Sequence, residues 1–414
     1  MTDRLGLFEA IGIELEYMIV DAESLAVRPI ADRLLEAEAG TIVCDVERGT
    51  MGWSNELALH LIELKTNGPV DTLAGLADQF QREVAYINGR LEPWRSRLLP
   101  TGTHPWMDPR QEFRMWPHEF HEVYATFDRL FDCARHGWAN LQSVHVNLPF
   151  SDDAEFARLH SAIRLVLPIM PALAASTPIA DGVVSGSLDT RLAVYQSNAA
   201  RVPSIAGAVI PEPVVSEAEY RERILEPIYH DLAPLDPEGI LRDEWVNARG
   251  AIARFDRGTV EIRVIDMQEC PQADVAIAAL VSAVVESLAT EETSRWTDQR
   301  DYPGAALRAL LEATIHEADA ALVPDGDYVT LLGCANTSSH TVGDLWRVLA
   351  ERYCANGTIP PELHGSLEVI GRDGCLARRM LARLGTRPSR DRMVSLYLEL
   401  AACLSEGRQL RPHA

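Results

Sequence analysis

The chain has 414 residues, 47% of them hydrophobic, enough for a sizeable core in one large or two ordinary domains. Asp and Glu outnumber Lys and Arg by 61 to 38, a formal charge of −23, which opposes non-specific attraction to nucleic-acid phosphates or anionic lipid. Neither nucleic acid nor membrane is expected as a partner, and an anionic substrate needs local Arg or bound divalent cations to reverse the field at its site.

Residues 10–20 read as a strand. In Ile11-Gly12-Ile13-Glu14-Leu15-Glu16-Tyr17 the strand alternation places Glu14 and Glu16 on one face with Gly12, and Ile13, Leu15 and Tyr17 on the other. A second β candidate lies within 53–66. After Pro69, Asp71 is placed to cap a helix whose apolar positions Leu73, Leu76, Phe80, Val84, Ile87 and Leu91 step by three or four. Residues 99–106, with two prolines and a glycine, read as a loop, and a helix is expected over 117–137. The strand Ser143-Val144-His145-Val146-Asn147-Leu148 puts His145 on one face with Ser143 and Asn147. Phe156, Leu159, Ile163, Val166 and Met170 mark a further helix.

Between 176 and 216 the composition shifts to Ser, Gly, Pro and small residues. A loop of that length is a lid or binding segment, or else a disordered connection, and Arg191 and Arg201 favour the former. In the strand Thr259-Val260-Glu261-Ile262-Arg263-Val264, Glu261 and Arg263 share a face. The rest is helical: 273–289, 307–315, 345–349 and 393–404. Strands dispersed among helices without a β-α-β rhythm predict an α+β fold with a largely antiparallel sheet. The reading is a single catalytic domain over 1–414, with a motif-bearing core at 10–270 and a mainly helical part at 271–414.

The seven scattered cysteines include no Cys-x-x-Cys pair and fit reduced thiols. The start of the chain lacks the pattern of a secretory leader, and no stretch approaches a membrane-spanning length. A cytoplasmic protein is expected.

The acidic strand faces carry the chemical signal. Solvation of one sheet face explains such alternation in any single strand. Glu14 and Glu16 fit it least, because like charges on neighbouring same-face positions repel unless a cation lies between them. Hard cations such as Mg²⁺ take oxygen ligands and bridge carboxylates to phosphates, a role suited to Glu14, Glu16 and Glu261. Glu56 and Glu63 are seven positions apart, opposite faces of a regular strand, so joint ligation needs a helix or a bulge or bend. His145 is either a satisfied core histidine or part of a polar site with Ser143 and Asn147. Arg263 either pairs with Glu261 or grips a phosphate or carboxylate. Arg249, Arg254 and Arg257 lie just upstream and supply positive charge. No Walker loop, Gly-x-Gly-x-x-Gly, Gly-x-Ser-x-Gly or His-Glu-x-x-His motif is present.

In order along the chain stand Gly12-Ile13-Glu14-Leu15-Glu16, Glu63-Leu64-Lys65-Thr66, Gly102-Thr103-His104-Pro105, Val144-His145-Val146 and Gly258-Thr259-Val260-Glu261-Ile262-Arg263-Val264. This series resembles the glutamate-cysteine ligase type 2 family of carboxylate-amine ligases. The resemblance implies a glutamine-synthetase-like fold, a curved antiparallel sheet with helices packed on its outer face. It implies ATP and Mg²⁺, or Mn²⁺ in its place, used to phosphorylate an amino-acid carboxylate, typically the glutamate γ-carboxylate, which an amine then attacks. Carried over, Glu14, Glu16, Glu56, Glu63, His145 and Glu261 become metal-site residues, and Arg249 and Arg263 catalytic contacts to the ATP phosphates. Thr103, His104 and Arg191 lie near the amino-acid substrate, and a homo-oligomer is expected. Ser143 stands where members commonly have the first His of His-x-His, and Asn147-Leu148-Pro149 follows where Gly is common.

Two alternatives accompany this reading. A carboxylate cluster with one histidine also serves a metal-dependent hydrolase, which has no need of Arg249 and Arg263. A non-catalytic nucleotide- or metal-binding relative is the other, and Ser143 is what suggests it.

Overall fold

The computed structural model describes residues 4–324, 326–335 and 340–412. Ten strands are found among them: β1 (Gly12–Asp21), β2 (Asp45–Arg48), β3 (Met51–Asn55), β4 (Leu61–Thr66), β5 (Ser96–Leu99), β6 (Ser143–Pro149), β7 (Ile179–Ala180), β8 (Val183–Val184), β9 (Ala251–Arg254) and β10 (Thr259–Asp266). Eight make one antiparallel sheet in the order β2-β3-β4-β1-β6-β10-β9, with β5 on the far half of β1. β7 and β8 form a separate hairpin. The α+β expectation holds, with an open, antiparallel sheet.

Strand alternation gives the sheet two unlike faces. Ile13, Leu15 and Tyr17 of β1, Leu64 of β4, Val144 and Val146 of β6, and Val260 and Ile262 of β10 are fully buried on one of them. The helices Leu76–Leu91, Asp153–Val166 and Pro271–Ala289 pack among themselves and against this side of the sheet. The opposite face carries Glu14, Glu16, Glu63, His145 and Glu261.

Several local expectations are corrected. The helix expected from Asp71 begins at Leu76, because Gly75 adopts a left-handed φ of 73° that ends the preceding turn. The 117–137 helix is two, His121–Phe131 and His136–Ala139, broken at Asp132 with φ 59°. The β candidate within 53–66 holds parts of two strands. The helix Pro271–Ala289 is long and apolar enough to span a membrane, contrary to the sequence reading. It is nevertheless buried in the protein, wrapped by other helices, as a core helix should be.

The 176–216 segment is not an irregular lid. It contains the β7–β8 hairpin and the helix Thr190–Tyr195, and Leu192, Val202, Ile205, Val209 and Val214 are core residues. Its small and apolar residues are spaced for packing, and Arg201 donates to the Leu130 and Arg129 carbonyls at 3.1 and 3.4 Å.

The helical part beyond 271 shares a continuous hydrophobic cluster with the sheet. At its end, the buried pair Arg379 and Glu269 holds both backbone groups of Leu410. No disulfide is found among the described residues.

Candidate active site

Three strands, β1, β4 and β10, deliver acidic groups, and β6 delivers His145 among them. In β1, Glu14 and Glu16 lie opposite Lys65 and Glu63 of β4, and Glu14 lies opposite His145 of β6. In β10, Glu261 lies opposite Asn147 of β6. Directly opposed residues share a face, so the register assembles these side chains from far-apart segments. Glu56 joins them through a bend of the chain between two strands. It continues the Gly52, Ser54 face of β3 into the turn, Ser54 lies opposite Glu63, and the chain then reverses into β4. Glu56 and Glu63 are thus on neighbouring strands, and their separation of seven is no obstacle.

A bulge in β10 positions the arginine. Ile262 lies opposite Val146 and Ile265 opposite Val144, so β10 holds one extra residue between them. Arg263 sits on that bulge, its N–H donating to the Gly250 carbonyl at 3.0 Å, and its guanidinium turns into the cavity beside Glu261. Beyond the bulge Asp266 is opposite Ser143 and forms a buried ion pair with Arg191.

The five acids, His145, Arg263 and Arg191 line a cavity of about 1140 Å³. His145 Nδ1 lies 2.9 Å from Glu14 Oε2 and 3.9 Å from Glu261 Oε1, while Nε2 lies 3.0 Å from the Ser143 hydroxyl and 3.7 Å from Glu16 Oε1. Ser143 in turn donates to Glu16 through its N–H at 2.6 Å and its hydroxyl at 2.9 Å. Asn147 donates to Glu14 at 3.1 Å, Ser54 to Glu63 at 2.7 Å, and Lys65 Nζ lies 3.5 Å from Glu63 and 2.6 Å from Asp45. Ser143 therefore keeps a place in the cluster as a hydrogen-bond link between Glu16 and His145.

The electrostatics follow from crowding acids in a buried place. Burial opposes the charge on Glu14, but the hydrogen bond and charge of His145, with Lys65 and Arg257, hold its pKa down to about 2. Burial, then the charge of Glu14, pushes Glu63 up to about 7 against Lys65 and Ser54. Glu56 is raised well above the carboxylate range by burial and by the charges of Glu16 and Glu63. Burial disfavours a charged His145, yet Glu16, Glu14 and Glu261 together lift it to about 10, so it is an imidazolium.

The donor set suits a hard divalent cation. Ligand atoms of Glu16, Glu56 and Glu63 lie within 4.8 Å of one another, as do those of Glu14, Glu63 and His145, whose ring is a donor only after giving up a proton. Two carboxylates at such distances repel by about 4 kcal/mol at an effective dielectric constant of about 20. Oxygen donors held together against that repulsion are what Mg²⁺ or Mn²⁺ uses.

Other expected residues lie elsewhere. Arg249 is buried outside the cavity, its guanidinium paired with Glu212 at 2.6 Å and bonded to the Ser204 carbonyl and Asn247. Thr103 and His104 are also buried and outside the cavity lining. His104 donates from Nε2 to the Leu25 carbonyl at 2.8 Å and accepts from the Trp106 N–H at Nδ1, and burial lowers its pKa to about 4. Their loop is scaffolding: a Cβ on Gly102 would come within 2.6 Å of the Asp266 carboxylate, so the loop packs directly behind the Asp266–Arg191 pair. Arg191 does reach the cavity, and its Nη2 has no hydrogen-bond partner.

The sequence reading assigned no role to Lys65, Arg4, Trp138 or Tyr195, all of which line the cavity. Lys65 was detectable by its strand alternation with Glu63.

An open antiparallel sheet that gathers acids, an imidazolium and guanidinium groups into one cavity is the architecture of an enzyme acting on charged ligands. The model of glutamate-cysteine ligase family 2 (GCS2) matches residues 10–351. The chain belongs to that family, whose members are ATP-dependent carbon–nitrogen ligases. Among relatives, an uncharacterized protein of Archaeoglobus fulgidus is 38% identical over 277 residues, covering 67% of this chain and 74% of its own. A Salinispora tropica protein named "Putative glutamate--cysteine ligase 2" is 29% identical over 408 residues, 91% of this chain and 95% of its own. In fold, the chain is similar to a glutamate–cysteine ligase from Francisella tularensis solved in complex with AMP, at a TM-score of 0.58 and 13% identity, covering 96% of this chain and 88% of that one. It is also similar to a bifunctional glutathione synthetase from Pasteurella multocida, at a TM-score of 0.54 and 15% identity, covering 95% of this chain and about half (52%) of that one.

Proposed function

We propose that the protein is an ATP-dependent ligase that activates an amino-acid carboxylate, the glutamate γ-carboxylate in the first instance, as an acyl phosphate and joins it to an amine. The observation carrying this reading is the convergence of Glu14, Glu16, Glu56, Glu63 and Glu261 with Arg263 on one cavity. The AMP complex of the Francisella tularensis ligase supports a nucleotide as one occupant.

The carboxylate oxygen attacks the γ-phosphorus, the bond to the β-phosphate bridging oxygen breaks, and ADP leaves. The amine nitrogen then attacks the acyl carbon, an amide forms, phosphate departs and one proton is released from nitrogen. Phosphoryl transfer of this kind depends on positioning and on neutralising phosphate charge. Glu14, Glu16, Glu56, Glu63 and Glu261 would hold Mg²⁺, which when bound screens the phosphates and draws them to the acidic face. Arg263, kept cationic by Glu261, offers fixed positive charge to the transferring phosphoryl. Arg4, Lys65, Arg254 and Arg257 line the end of the cavity near Gly12 and Thr259 and would receive the rest of the triphosphate. Arg191, with an uncommitted N–H at the other end, would take a substrate carboxylate.

The test is ADP release with Mg²⁺ across a panel of amino acids and amines. Substrate-stimulated ADP is the expected outcome. Turnover of an amide without ATP would instead establish a metal-dependent hydrolase, and nucleotide binding without turnover a non-catalytic relative.

A further inference from the structure

The cavity has two chemically different ends, and the strand register orders them. On the site face of β4 the sequence runs Lys65, Glu63, Leu61, and on that of β6 it runs Asn147, His145, Ser143, then Leu141 just before the strand. Both strands change from charged to apolar in the same direction, past Glu16. At that end the lining adds Leu57 and Ala58 from the β3–β4 turn, Trp138, and Tyr195.

Trp138 is held so that only its apolar surface is on offer. Its indole N–H is already given to the Asn198 carbonyl at 3.1 Å, and its ring stacks on Phe131 at 5.5 Å and 19° with Phe127 at 5.3 Å. The charged groups bordering this end are the acidic cluster, Arg191 and Arg263, all of which the ligase reading already employs. On that reading a donor carboxylate goes to Arg191, the transferring phosphoryl to Arg263 and the rest of the triphosphate to the basic end. What remains for the amine is the uncharged wall of Leu57, Leu61, Trp138 and Leu141, apolar but for the Tyr195 hydroxyl beside it.

Resting on the ligase reading, we propose that the acceptor is an amine with an apolar side chain, seated on Leu57, Leu61, Trp138 and Leu141. A charged side chain there would lose its water and find no partner. Each methylene placed on the wall should raise specificity about threefold to fourfold.

The experiment titrates glycine, alanine, cysteine, leucine, phenylalanine and lysine as acceptors, with Mg²⁺, glutamate and the full-length protein. It has two readouts: ADP release with ATP, and calorimetric affinity with a non-hydrolysable ATP analogue. Leucine should exceed glycine about 100-fold in either readout, lysine should fall well below leucine, and Trp138→Ala should cut the leucine-to-glycine ratio about tenfold. A flat series, or one led by lysine or glycine, overturns the proposal even if ADP is released, and the ligase reading survives. Graded apolar binding with no ADP overturns the ligase reading and upholds the wall. The wild-type series decides the matter even if Trp138→Ala fails to fold.

Discussion

The imidazole Nδ1 of His145 stands 2.9 Å from the Glu14 carboxylate, with both side chains mostly buried. The same ring reaches Glu16 and Glu261. Three carboxylates from two strands therefore share one histidine cation, which with Lys65 and Arg263 offsets the acidic cluster. Removing one member of a buried ion pair leaves the other uncompensated, typically at about 3 kcal/mol or more. His145→Ala should lower stability by about 3 kcal/mol in chelator, and Mg²⁺ should restore much of it by taking over the charge. Denaturant unfolding with EDTA and with Mg²⁺ checks this. Wild-type stability of the variant in EDTA would remove the counter-charge role.

Glu261 is buried beside Arg263 and within reach of His145. Glu261→Gln keeps its shape and removes a charge from the proposed metal cluster. ADP formation should fall at least 100-fold while the circular dichroism spectrum stays native. A variant turning over at the wild-type rate would strike Glu261 from the metal set.

Arg249 provides the contrast. Its partners are Glu212, Asn247 and the Ser204 carbonyl. Arg249→Lys loses the two-pronged grip on Glu212, which is itself about a third exposed on its side chain, so the expected cost is about 2 kcal/mol. Nucleotide affinity, measured by calorimetry, should change less than twofold. A tenfold loss of affinity with unchanged stability would return Arg249 to the phosphates.

Three buried histidines set an acid limit. His60 and His104 are lowered to about 4 and His160 to about 3, in each case chiefly by burial, and neither ring nitrogen of His160 has a partner. Their folded pKa values lie below the unfolded value of about 6.5. The stability they confer is thus complete above about pH 6.5 and is lost as pH falls toward 4 and 3. A drop from 6.5 to about 4 is worth about 3 kcal/mol at most for one site. The denaturation midpoint should fall steeply between pH 6.5 and 4, and less steeply in His160→Phe. Identical pH profiles for the variant and the wild type would contradict this.

Much of the site was legible because strands alternate with period two. Glu14, Glu16, His145, Glu261 and Arg263 were placed on shared faces from sequence alone, and the register brought those faces together. Glu56 was obscure because a turn, not a bulge, lies between it and Glu63, and turns of mixed composition are not distinguishable from strand by alternation. That Arg249 and the Thr103-His104 pair lie outside the cavity lining was not legible, for a different reason. Their partners, Glu212, Asn140 and Leu25, are 30 or more positions away, and only tertiary packing shows that they are consumed. The 176–216 segment misled through composition, since Ser, Gly and Pro between apolar residues describe a packed irregular segment as well as a lid. The switch from Glu63 to Leu61 and from Ser143 to Leu141 obeys the same alternation and needed only one more step along each strand.

The most direct test of the central claim is a crystal of the protein soaked with Mn²⁺ and a non-hydrolysable ATP analogue, with the metal located by anomalous scattering. Metal peaks are expected between Glu16, Glu56 and Glu63 and beside Glu14 and Glu261, with the triphosphate running toward Lys65, Arg254 and Arg257. Manganese bound away from these carboxylates, or a nucleotide whose phosphates avoid this cavity, would contradict the account.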